Sequence, residues 1–246
     1  MLKPVLFGLW LVVANAGFAA SEIVAAPEGL QHCVVCHGVE LIGNRSVDAP
    51  NLSVLSNWYV EGQLQSYRRG FRAPHGSTAD LIGREMQPMA AALDDESIKA
   101  VLAFVDRVPE RSAATTVNGD AQRGAKLYAD CATCHGARGE GNRSLDAPRL
   151  AGQSDWYLVR QLENYRSGAR GAAADDTLGA LMRASTTTLV DAQAIGHVVS
   201  YINSLTGGHH DQARNPAVTV DGYRRLRGHG SLPTAQQFDF PYRASR

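Results

Sequence analysis

Apolar residues along this chain recur at the spacing of helical faces. After an Asn118-Gly119-Asp120 start, Gly124, Leu127 and Tyr128 share one face ahead of Cys131 and predict an amphipathic helix. Ile98, Val101, Leu102 and Val105 predict a second helix over Asp95 to Val105, and Ile195, Val198, Val199 and Ile202 a third over Asp191 to Leu205. Trp58 to Tyr67 and Trp156 to Tyr165 read as two more, ended by Gly70 and Gly168. No alternating strand pattern of useful length is present, so the expected fold class is all-α.

These elements occur in pairs. Cys33 and Cys131 are separated by 98 positions, and the same offset joins Gly43, Asn44, Arg45, Ser46, Asp48, Ala49 and Pro50 to identical residues beginning at Gly141. It continues through Trp58/Trp156, Tyr59/Tyr157, Gln63/Gln161, Leu64/Leu162, Tyr67/Tyr165, Arg68/Arg166, Gly70/Gly168 and Arg72/Arg170. Matching of this length indicates internal duplication. Two positions are lost around residues 73–85, as a deletion in a surface loop would produce. Beyond it Met86 pairs with Met182 and Leu93 with Leu189, each at an offset of 96. Two domains are expected, residues 21–110 and 118–206. The aperiodic residues 111–117 join them, and a polar tail follows over 207–246.

The first twenty residues read as a signal peptide for export, with Lys3 as the positive end, an apolar run from Val5 to Ala14, and small residues near Ala16 and Ala19. That run is shorter than the ~20 apolar residues of a spanning helix. A periplasmic location follows, with at most peripheral membrane contact. Twenty-four Lys and Arg balance twenty-four Asp and Glu, which gives no reason to expect a nucleic-acid partner. The tail is a surface-draped extension on the simplest reading and a docking segment on the sharper one.

Four cysteines in an exported chain ordinarily suggest disulfides. Here they stand as Cys33-Val-Val-Cys36-His37 and Cys131-Ala-Thr-Cys134-His135. A C-x-x-C turn places two sulfurs along one edge of a porphyrin for thioether attachment, and the following histidine reaches the iron. Zinc held by four thiolates gives no reason for a histidine after both pairs. A thioredoxin-like redox pair calls for a strand-helix setting that is not present. Two covalently bound haem c groups are therefore expected, on Cys33 and Cys36 with His37, and on Cys131 and Cys134 with His135.

A thioether sulfur is a soft, neutral distal ligand that favours ferrous iron. Met182 is the methionine candidate of the second half, whereas Met86 competes with Met89 in the first. The repeat favours Met86, because Met89 has no methionine counterpart, and Met89 then fills core space. His75 faces Ala173 in the repeat and reads as a surface residue. His197 lies on a helix and needs no role, and His209 and His210 belong to the tail.

With both C-x-x-C-H motifs, the paired methionines and the two Trp-Tyr…Gln-Leu…Tyr-Arg…Gly stretches, residues 27–206 resemble the two-haem class I cytochromes of the cytochrome c4 family. The resemblance implies two tandem all-α class I cytochrome c domains. It puts His37 and Met86 on one iron and His135 and Met182 on the other, with the carbonyls of Pro50 and Pro148 accepting the proximal imidazole N–H. It departs from the family where Ala26 and Leu30 replace Gly124 and Tyr128, so a short opening helix is expected in the first domain.

Two closed iron sites imply an electron carrier, not an enzyme, passing electrons between redox proteins: a donor and an acceptor that is an oxidase, reductase or dehydrogenase. The rival readings are a haem enzyme with a labile distal ligand and a cytochrome subunit of a dehydrogenase complex. Arg68, Arg166, Arg72 and Arg170 are candidates for neutralising propionates, though solvated helix ends explain them equally well.

Overall fold

The computed structural model describes residues 24–74 and 79–205. The expected signal segment, His75 and the tail lie outside these residues. Within them the chain runs through α1 (Gln31–His37), α2 (Asn57–Arg68), α3 (Met86–Ala91) and α4 (Asp95–Arg107), then α5 (Ala121–His135), α6 (Asp155–Ser167), α7 (Thr177–Ser185) and α8 (Ala192–Ser204). The described residues contain only two isolated bridges, Asn44 with Ala49 and Asn142 with Ala147, in place of strands.

Aspartate side chains start α4, α5 and α8 by accepting backbone N–H groups that have no partner inside the helix. Asp94 accepts from Ser97 N at 2.8 Å, Asp191 from Ala194 N at 2.7 Å, and Asp120 from Gln122 N and Arg123 N at 2.9 and 3.0 Å. The apolar faces read from the sequence are the buried ones: Ile98, Val101 and Val105 in α4, and Ile195, Val198, Val199 and Ile202 in α8.

The opening helix of the second unit crosses its closing helix at a glycine. A Cβ on Gly124 of α5 would stand 2.0 Å from the carbonyl oxygen of His197 in α8, and one on Gly119 would stand 2.5 Å from that of Gly196. Only bare backbone fits there. His197, expected to need no role, accepts the Asp120 N–H on Nδ1 at 2.9 Å and so fastens the start of α5. The first unit has no such crossing, because α1 is seven residues long and Ala26 precedes it in non-helical chain. Val24 and Ala26 pack against the core there instead, beside the fully buried Leu30.

Two helices went unread in the sequence. In α7 Leu178, Leu181 and Met182 stand at helical spacing but over little more than one turn, and α3 is too short to show a period. Their local marker is a pair of Asp-x-x-Gly turns at the 96-residue offset: Asp80 accepts Gly83 N, and Asp176 accepts Gly179 N, both at 2.9 Å.

The segment between the units is extended and hydrogen-bonded to both. Asn51 Nδ2 donates to Arg111 O at 2.7 Å, and Ala113 N donates to Gly152 O at 2.9 Å. The carboxylate of buried Asp155 accepts from Thr116 N, from Thr116 Oγ1 at 2.8 Å and from Val117 N at 2.6 Å. Burial alone would raise this carboxyl, but the amide donors of Thr116 and Val117 outweigh it and hold the group below the usual aspartate range. Asp155→Ala takes the acceptor away from the Thr116 and half-buried Val117 amides and is expected to cost about 1–3 kcal/mol in chemical denaturation. The group is depressed in the fold, so its contribution is complete above the ordinary value of about 3.9 and fades as pH falls below it. The difference between parent and variant should therefore shrink in acid.

Candidate functional site

Each C-x-x-C-H motif ends a helix, α1 or α5, and a glycine in left-handed backbone follows each histidine: Gly38 and Gly136. The chain then folds back under the imidazole. Gly43 N donates to His37 O at 2.9 Å and Gly141 N to His135 O at 2.8 Å. A Cβ on Gly43 would meet Ala49 O at 2.7 Å, and one on Gly141 would meet Arg149 N at 2.6 Å, so both positions require glycine. Asn44 and Asn142 close the next turn by accepting Ser46 N and Ser144 N at 3.0 Å. Asp48 and Asp146 then take left-handed backbone, at φ 53° and 50°.

The repeated Gly-Asn-Arg-Ser-x-Asp-Ala-Pro run thus carries a proline carbonyl to the histidine. His37 Nδ1 donates to Pro50 O at 2.9 Å and His135 Nδ1 to Pro148 O at 2.7 Å. The proton on Nδ1 leaves Nε2 as the lone-pair nitrogen, the form that binds a metal. Burial lowers the pKa of both imidazoles, against the opposing proline hydrogen bond, and favours that neutral form.

All four cysteines are unbridged. Burial pushes the Cys33 thiol up to about 11 and the Cys131 thiol upward as well. A reactive redox pair needs the opposite, a thiolate stabilised near neutral pH. Cys33 and Cys131 thus lack the activated thiolate of a disulfide-exchange pair.

In the second unit Cys131, Cys134, His135 and Met182 line one cavity of about 650 Å³, which extends to Tyr59 and Arg170. That volume lies within the roughly 300–1,000 Å³ of cofactor pockets. In the first unit Cys33 and Met86 are each partly buried against the apolar cluster that includes Val34 and Leu64, and His37 is itself buried. Met89 is half-buried on the same helix, α3.

The four candidate arginines separate into two kinds. Arg68 pairs with Asp95 at 3.3 Å, and Arg166 reaches Leu189 O at 3.5 Å. Arg72 and Arg170 are 4% and 6% exposed, and their hydrogen-bond partners are neutral: Gln63, Gln161 and Tyr157. Arg72 Nε has no hydrogen-bond partner among the described residues. Two buried cations with no carboxylate bonded to them among the described residues call for an anionic group, and a haem brings two propionates. The donor set, the cavity and this charge all fit haem c.

Sequence reasoning noted Gln63, Gln161 and Tyr157 only as repeat matches. Their offset of 98 together with Arg72 and Arg170 was the available signal that they work as a group.

Residues 23–109 and 121–206 each match the family described as cytochrome c. The chain is 32% identical over 209 residues to cytochrome c4 of Azotobacter vinelandii, covering 80% of this chain and 95% of that one. It is 33% identical over 173 residues to a thiosulfate dehydrogenase electron acceptor of Stutzerimonas stutzeri, 66% of this chain and 76% of the relative. The crystal structure of reduced cytochrome c4 from Pseudomonas stutzeri superposes with a TM-score of 0.56 at 26% identity, over 73% of this chain and 95% of that chain.

Proposed function

The chain belongs to the cytochrome c family, as a two-haem electron carrier of the cytochrome c4 group, and from that premise we propose how and where it works. It is exported to the periplasm, where it takes single electrons from a dehydrogenase and hands them to an oxidase or reductase. A donor that oxidises a reduced sulfur compound is favoured by the 33% identity to the electron acceptor of a thiosulfate dehydrogenase.

Cys33 and Cys36 attach the first haem, with His37 and Met86 as its iron ligands. Cys131 and Cys134 attach the second, with His135 and Met182. Bound haem supplies a one-electron couple between ferric and ferrous iron. The prolines fix the orientation of the histidines and raise their basicity through the Nδ1 proton. The methionines would complete each iron's ligand set, and Arg72 and Arg170, buried at the boundary between the units, would offset propionate charge. With a histidine and a methionine held to each iron, a substrate would find no free coordination position, and the protein's part would be to set potential and exclude water.

The observation that carries this reading is the sharing of one cavity by Cys131, Cys134, His135 and Met182. It is tested by exposing the fully reduced holoprotein to carbon monoxide. The Soret band is expected to stay unchanged; rapid binding at either haem would overturn the pure-carrier reading in favour of a haem enzyme. Affinity isolation from the native periplasm then identifies the donor and acceptor.

A further inference from the structure

Arg72 and Arg170 meet at the boundary of the two units, each flat against a tyrosine of its own unit, 4.4 Å from the ring centres of Tyr67 and Tyr165. Arg72 donates from Nη1 to Gln63 Oε1 at 2.9 Å and from Nη2 to Gln161 Oε1 at 3.3 Å. Arg170 donates from Nη1 to Gln161 Oε1 at 2.8 Å and from Nη2 to Gln63 Oε1 at 3.2 Å. Each glutamine oxygen therefore takes one guanidinium donor from each unit. The result is a closed ring of two cations and two carboxamides, with the shorter bonds inside units and the longer ones between them.

Two like charges in a buried setting repel, and here neutral carbonyl oxygens hold them together. Neither guanidinium can shift without changing its bonds to both glutamines. Hydrogen-bonded networks in a low-dielectric interior respond as units, not as sums of pairs.

We propose that Gln63 and Gln161 are positioning residues that couple the two haem centres, by tying Arg72 and Arg170 into one ring spanning both units. The proposal rests on the reading that a haem sits in each unit. An electron arriving at one centre removes one positive charge there and draws the arginines toward it. The other centre loses part of the cationic field that favours its ferrous state, so its potential falls. Coupling between two sites is reciprocal, so each centre shifts the other by the same free energy.

The test is a redox titration of the full-length holoprotein followed by NMR, in which shifted haem-methyl resonances report the two centres separately. In the parent, each midpoint is expected to be lower when the other haem is already reduced. Gln63→Leu should move the midpoint of the haem held by Cys131 and Cys134 as well as its own, and abolish most of the mutual dependence. Gln161→Leu should do the same in the opposite direction. Gln63→Glu keeps an acceptor for both guanidiniums while adding negative charge, and should lower both midpoints with the dependence retained. Leucine variants that shift only their own haem, or leave the mutual dependence intact, overturn the proposal. Haem content of the parent, read by pyridine haemochrome, tests the underlying site reading separately: two haems per chain support it and fewer sink it.

Discussion

Cys131→Ala combined with Cys134→Ala yields a chain with one haem instead of two and a second unit that no longer unfolds cooperatively. Among the described residues the buried apolar cluster of that unit has eight members, against fourteen in the first, and Leu158 and Leu189 of the eight line the 650 Å³ cavity. Without haem the apolar side chains that line the cavity, Leu158, Leu162 and Leu189 among them, face water instead of packing on the ring. A whole domain is stable by only about 5–15 kcal/mol. Noncovalent haem would escape from so open a site once unfolding exposed it. Pyridine haemochrome should read half the parental haem, and circular dichroism should show partial loss of helix with the first unit's transition retained. Two tightly held haems in this variant would show that these cysteines are not the attachment points.

Met182→Ala should open one iron and leave the other closed. Reduced protein then binds carbon monoxide at one of its two haems, the methionine-to-iron charge-transfer band of the ferric form falls by half, and the midpoint of the affected haem drops. Loss of the thioether removes the neutral soft ligand that raises the potential, and water takes its place. Met86→Ala should do the same in the first unit, whereas Met89→Ala should leave both bands in place. A normal band after Met86→Ala, with the loss appearing in Met89→Ala instead, would reverse the assignment on α3.

The long helices were legible because each has an apolar face that the fold buries, and α4, α5 and α8 have a capping aspartate besides. Ile195, Val198, Val199 and Ile202 share a face in the sequence and pack in the core together. The site was legible to the extent that its chemistry is local. Cys33, Cys36 and His37 lie within five residues, and the loop returning Pro50 to His37 repeats almost letter for letter at Gly141 to Pro148. Contacts made by tertiary packing were not legible. That Arg72 is buried while Arg68 pairs with Asp95 depends on which way α2 faces the other unit, and residue type alone carries no such information. Likewise, Asp155 reads as an ordinary first-turn acid until Thr116 and Val117 are seen to fold onto it.

The segment joining the units is held at Arg111, Ala113, Thr116 and Val117, with bonds reaching both halves. A tether fastened along its length leaves the two redox centres little independent tumbling, so their separation stays fixed as the molecule diffuses. Passage of an electron from one half to the other should then be insensitive to added glycerol. Delivery to a partner, which requires collision, should slow in proportion to solvent viscosity.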